Sequence, residues 1–282
     1  MSLQVTWYDN AAFRVFTGEE VLWFDPSVNK NADSPIRVRD INETAKFVLT
    51  THGDPGHFVN SVEVTQRTGA RFVGSRDLCD FILKRGQLPR ERLIPLEFGE
   101  QKEIDGFEVY LFEAEHPELT PELKAVIAKW GGSAESRNGG FVVQSKTFSL
   151  CILGDCIYSD VFREVGRRFS IDIGMIPIQG KMHVDSTPEE AAENGALIVQ
   201  ALKPKVLFPV IQYTKEQVRI GPLQRRLIEL GVRTRMVFDR PGVLHTLEEF
   251  RTGRDGGSCA GKLPAKVQDL SLEGPEKNAP ED

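Results

Sequence analysis

Short apolar runs closed by turn residues come in two batches along this chain, and nothing else in the sequence constrains the fold as tightly. Residues 3–8, 12–16 and 21–24 are rich in β-branched and aromatic side chains, with Gly18 at the turn between the second and third. Residues 46–50 make a compact apolar run ending in Thr51, His52 and Gly53, which predicts a buried strand feeding a loop. Strands at 71–74, 93–98, 103–104 and 107–113 complete the first batch, with Asp105-Gly106 as a hairpin signal. The second batch is 141–145, 148–153, 171–178, 205–210, 235–238 and 243–247. Helices are predicted over 58–67, 76–84, 120–130, 187–202 and 215–230. Thr187, Pro188 and Glu190 match a capping box with proline in the first helical position. No sequence repeat of roughly 20–50 residues accompanies the two batches.

Composition narrows the function classes. With 40 % hydrophobic and 27 % charged residues over 282 positions, collagen-like, wholly disordered and disulfide-scaffold chains are excluded. A net charge of -6 leaves no basic field for a nucleic-acid backbone or an anionic membrane. No apolar run approaches the roughly 20 residues that cross a bilayer. Met1-Ser2-Leu3-Gln4 lacks the basic and apolar parts of a signal peptide. Cys79, Cys151, Cys156 and Cys259 form no CxxC pair, so the expected setting is a reducing cytoplasm with free thiols. From Thr252 onward Gly, Pro, Lys, Glu and Asp dominate, which predicts one domain over 1–251 and a disordered tail over 252–282.

Two of the five histidines fall in one short segment, Thr51-His52-Gly53-Asp54-Pro55-Gly56-His57. In extended chain, residues i and i+2 share a side, so His52 and Asp54 can reach one ion together. Pro55 biases Asp54 toward the extended conformation that this requires. His57 stands at the start of the following helix, close enough to bend back. The same residues also fit a polar loop with ordinary capping roles. Position favours chemistry, because the segment ends an apolar strand, where α/β enzymes gather their sites. His116, after strand 107–113, and Asp155, after strand 148–153, share that placement. Imidazole nitrogen and carboxylate oxygen are the usual ligands of Zn, Mn or Fe.

These segments resemble the metallo-β-lactamase fold family over about residues 3–250. The likeness is closer to its branch of L-ascorbate-6-phosphate lactonase-like and N-acylphosphatidylethanolamine phospholipase D-like hydrolases. VTWYDNAAFRV with VLWFDP is similar to the opening hairpin, and FVLTTHGDPGH stands where the family carries THxHxDH. FEAEH supplies the next histidine, GGFVVQSKTFSLCILGDC ends in the bridging aspartate, and IDIGMIPIQGKMHVDSTPEEAA resembles the strand, loop and helix that follow. LKPKVLFPVIQY and RPGVLHTL resemble the later strands. The resemblance implies an α+β fold, the four-layer αββα sandwich, with metal at one edge of two facing sheets. It also implies a metal-dependent hydrolase whose metal-bound hydroxide attacks an ester, lactone or phosphoester of a small molecule. Homo-oligomers are common among such relatives.

Departures from the pattern define the expected site. Asp54 replaces the second signature histidine, Gly56 the signature aspartate, Gln212 the final histidine and Asn10 the histidine of the opening hairpin. Carried over by position, one ion keeps His52, Asp54, His116 and Asp155. The other keeps only His57 and Asp155, with Gln212 a weak oxygen donor. One well-held ion and a poor or empty second position are therefore expected. The added carboxylate hardens the ligand set, so Mn or Fe joins Zn as a candidate, and it weakens the pull on bound water. Asp155, His57 as the residue orienting water, and His183 as a substrate contact or acid for the leaving group form the expected catalytic set. His183 also fits a loop histidine bonded to backbone. Asp25 fixes the loop near the metal, and His245, Cys151 and Cys156 fit structural positions. Loops 29–39 and 117–138 set the substrate. The same departures motivate an alternative: a binding or regulatory protein that keeps the fold and has lost turnover.

Overall fold

The computed structural model describes residues 2–29, 32–129, 131–133, 136–181, 186–211 and 213–248. Its compact unit runs from Met1 to Arg251, and the predicted tail lies outside the described residues. The first half contributes β1 (Ser2–Trp7), β2 (Phe13–Phe16), β3 (Val21–Phe24), β4 (Phe47–Leu49), β5 (Arg71–Ser75) and β6 (Leu93–Leu96). The second contributes β7 (Gln101–Ile104), β8 (Phe107–Glu113), β9 (Gly139–Gln144), β10 (Ser149–Leu153), β11 (Ile173–Pro177), β12 (Val206–Val210) and β13 (Arg235–Met236). β14 (Leu244–Glu248) returns to the first sheet. The helices are α1 (Pro55–Phe58), α2 (Ser61–Thr68), α3 (Arg76–Lys84), α4 (Pro121–Lys129), α5 (Val161–Arg168), α6 (Pro188–Leu202) and α7 (Tyr213–Glu229).

The strand orders are β14-β1-β2-β3-β4-β5-β6 and β13-β12-β11-β10-β9-β8-β7. Residue alternation decides how they stack. On β3, Leu22 and Phe24 enter the core between the sheets while Trp23 faces outward; on β4, Phe47 and Leu49 face in and Val48 faces out. The central layer joins Phe13, Phe24 and Phe47 to Phe141, Ile152 and Phe208. Trp23, Val48 and Phe72 pack outside against Val64, Leu78 and Ile82 of α2 and α3. Val142, Cys151 and Ile176 pack on the opposite outer face against Phe162, Val165 and Val199 of α5 and α6. The central strands β3, β4, β10, β11 and β12 are thus covered on both faces, which is why they read as continuous apolar runs. This is the αββα sandwich expected from the resemblance. Each large side chain buried in it contributes about 1.5–3 kcal/mol.

The helix expected over 58–67 forms as α2, starting at Asn60, whose backbone leaves the helical region (φ -107°, ψ 0°), and the short α1 precedes it. The Asn60 side-chain oxygen accepts from the Asn29 backbone at 2.9 Å, a tertiary partner that no local pattern reveals. The capping box at Thr187 forms as expected, with the Thr187 hydroxyl accepting from Glu190 N. No helix among the described residues is long and apolar enough to cross a membrane.

Candidate metal centre

The site is built where strand ends turn into loops. After β4 the chain runs through Thr51, His52 and Asp54 into α1. Asp54 is the residue before that helix, extended at φ -70° and ψ 146° as Pro55 requires, and its carboxylate makes no capping hydrogen bond. It turns instead toward His52 Nε2 at 3.7 Å and His116 Nε2 at 3.5 Å. His116 follows β8, and Asp155 follows β10. One ligand atom from each of His52, Asp54, His116 and Asp155 lies within 4.8 Å of the others.

Hydrogen bonds fix which imidazole nitrogen faces this cluster. Asp25, directly after β3, is fully buried; it accepts from Thr51 N at 2.8 Å and from the Thr51 hydroxyl at 2.7 Å. That hydroxyl has then used its only proton, so at 3.1 Å it accepts from His52 Nδ1. His52 Nε2 is left as a bare lone pair. It is buried and has no hydrogen-bond partner. His116 Nδ1 lies 2.6 Å from the Pro117 carbonyl, an acceptor only, so that nitrogen carries the proton and Nε2 turns inward.

Charge follows from the same geometry. Burial and the charge of His57 hold the His52 pKa below the ordinary imidazole value. Burial alone would raise Asp54, yet the facing imidazoles of His116 and His52 hold it well below the usual carboxylate range. Burial opposes a charge on His57, but Asp155 and Asp25 on either side override it and hold its pKa well above normal. Burial likewise opposes charge on His116, and Asp54 and Asp155 raise it nonetheless. Burial raises the thiols of Cys151 and Cys156, which keeps them out of nucleophilic chemistry.

His57 lies between two carboxylates. Nδ1 is 2.8 Å from Asp25 and Nε2 is 3.3 Å from Asp155, so both ring nitrogens already face carboxylates. Gly56 offers no side chain; its carbonyl accepts from the Asn10 amide at 3.2 Å. Gln212 and His183 lie outside the described residues. Three supporting residues escaped the sequence reading. Thr51 orients His52. Asn138 donates to the carbonyls of Ala114 (3.0 Å) and Asp155 (2.6 Å), tying together the ends of β8 and β10. Gln179 reaches Asp155 from the end of β11. Gly154 is required by contact: a Cβ there would lie 2.3 Å from Asn138 Oδ1 and 2.9 Å from both His52 Nδ1 and Thr51 Oγ1.

A cavity of about 430 Å³ opens beside the cluster, lined by His52, Asp54, His116, Leu119 and Arg137 among others. Arg137 is held there by a two-pronged ion pair with Glu113 and lies over the Phe98 ring.

The family described as beta-lactamase superfamily domain matches residues 4–211, and the chain belongs to it. Among curated relatives, a UPF0173 metal-dependent hydrolase of Pyrobaculum arsenaticum is 30 % identical over 243 residues, covering 85 % of this chain and 98 % of that one. The UPF0173 metal-dependent hydrolase MK1542 of Methanopyrus kandleri is 28 % identical over 246 residues, with coverage of 85 % and 98 %. Among solved structures, Igni18, a metallo hydrolase from Ignicoccus hospitalis, superposes with a TM-score of 0.71 at 19 % identity, over 88 % of this chain and 100 % of that chain. That last likeness is one of fold.

Proposed function

We propose that this chain is a metal-dependent hydrolase that holds one divalent ion on His52, Asp54, His116 and Asp155 and acts on a small ester, lactone or phosphoester. The observation that carries the reading is His52 Nε2, a buried lone pair without a hydrogen-bond partner inside a group of four ligand-type atoms. Leaving such an atom unsatisfied costs about 1–3 kcal/mol, which a bound cation would offset. The donor chemistry fits: two neutral imidazoles and two carboxylates balance a divalent charge, with Zn and Mn favoured and Fe compatible. The names of the curated relatives support the same class.

When bound, such an ion supplies Lewis acidity and lowers the pKa of water toward neutrality. The chain's own residues do the rest. Thr51 and the Pro117 carbonyl take up Nδ1 of His52 and His116 and so aim each Nε2 at the cluster. His57, standing between Asp25 and Asp155, holds Asp155 in place. A second ion would find no side chain at Gly56. His183 is the candidate acid for the leaving group on its sequence position alone. The cavity suits a small molecule.

Metal analysis of the purified chain, followed by turnover of lactone, phosphodiester and phosphomonoester model substrates, tests the proposal. About one equivalent of ion, with turnover lost in Asp155→Ala, is expected. A folded chain that takes up no Zn or Mn and is indifferent to chelators would instead favour the binding or regulatory alternative.

A further inference from the structure

The two carboxylate oxygens of Asp155 meet different surroundings. Oδ2 lies on the side of the donor cluster, 3.9 Å from His116 Nε2. Oδ1 lies 3.3 Å from His57 Nε2. It is also 3.1 Å from the side-chain nitrogen of Gln179, whose carbonyl oxygen accepts from Cys156 N at 2.6 Å in the amide orientation that satisfies both groups. The Gln179 amide donor and the facing His57 ring nitrogen thus both stand against that one oxygen.

Gln179 is itself anchored. Its backbone carbonyl accepts from Asn194 Nδ2 at 2.7 Å, and the same amide donates to the Cys156 carbonyl at 3.1 Å. Asn194 Oδ1 accepts from Tyr158 N at 2.7 Å. One residue of α6 therefore ties Gln179 to the loop that carries Asp155. Helix α6 can come this close because Gly195 has no Cβ, which would otherwise lie 2.7 Å from Ile178 Cδ1.

We infer that Gln179 is a positioning residue for the metal centre: together with His57 it occupies Oδ1 of Asp155, so that this carboxylate serves one ion through Oδ2 and does not bridge two. The inference rests on the one-ion reading above and extends it by naming the side chain that enforces the count. Glutamine suits the task because its amide is a neutral donor at Oδ1 and an acceptor for Cys156 N at once. A carboxylate in its place would lose the donor and add a ligand.

Cobalt(II) titration of the full chain tests this, read by visible absorption and by metal per chain, with circular dichroism to check folding. The wild type is expected to bind one equivalent. Gln179→Ala is expected to bind about 10–100-fold more weakly, the usual cost of losing a partner of a metal ligand, with a changed absorption band. Gln179→Glu, nearly isosteric and thus a safeguard against misfolding, is expected to take up a further equivalent. A merely structural role would move neither the band nor the stoichiometry. Wild-type affinity, band and stoichiometry in both folded variants would overturn the inference and leave the one-ion reading standing. A wild-type chain that takes up no cobalt would sink that reading, and the inference with it.

Discussion

The two halves of the molecule are built to one plan and do different work. In the first sheet the pairings from β14 through β3 are antiparallel and those from β3 through β6 are parallel. In the second, β7 through β10 are antiparallel and β10 through β13 parallel. β3 and β10 therefore correspond, and each ends in an aspartate that faces His57: Asp25 on Nδ1, Asp155 on Nε2. Position alone does not set their roles. Asp25 is sealed away by Thr51 and His57, so its charge orients other side chains. Asp155 turns one oxygen toward the donor cluster, 3.9 Å from His116 Nε2. The strands β4 and β11 also correspond. The loop after the first carries His52 and Asp54, while the loop after the second carries Gln179, which supports rather than coordinates.

That contrast can be broken experimentally. The largest effect belongs to Asp155→Ala, which is expected to abolish both metal uptake and turnover while the melting temperature shows the chain still folded. Next is Gly154→Ala. Its new methyl group meets Asn138, His52 and Thr51, and overpacking of this kind costs about 1–3 kcal/mol, readable as a shift in denaturant midpoint. Asp25→Asn should be milder than its counterpart on β10: metal affinity about 10–100-fold lower by calorimetry, with turnover retained at saturating metal. If Asp25→Asn instead matched Asp155→Ala, the division of labour between the two aspartates would be wrong.

The smallest effect is a pH dependence of the metal-free protein. The pKa of His57 is raised on folding, so its contribution is present below the unfolded value of about 6.5 and is lost as pH rises through the folded value. His52, held neutral by burial, tilts the curve the other way in acid. The readout is therefore the difference between wild type and His57→Gln in melting temperature across pH. The wild-type advantage is expected to shrink as pH rises; an advantage constant with pH would mean that His57 is neutral in the fold.

What the sequence made legible was local. An apolar run ending in His, Asp or Gly announces a strand that delivers polar groups to a sheet edge; His52, Asp54, His116 and Asp155 were singled out that way, and the fold brings their ligand-type atoms within 4.8 Å of one another. The correspondence of the halves was invisible, because it resides in pairing direction and leaves no shared residue pattern. Thr51, Asn138 and Gln179 were missed because each acts through a partner that only the fold supplies: Asp25, the Ala114 carbonyl, Asp155. The double engagement of His57 was missed for the same reason. Its neighbours in sequence suggest a ligand, and its neighbours in space set a carboxylate against each ring nitrogen.

The return of β14 to lie beside β1 has a consequence for how this protein is made. Val5 pairs with His245, so the amino-terminal strand waits for nearly the whole chain before its second neighbour exists. Until then a growing polypeptide displays an open row of amides and carbonyls that can recruit a stranger. Closure across so long a loop is slow, which makes nascent copies, rather than mature ones, the vulnerable population.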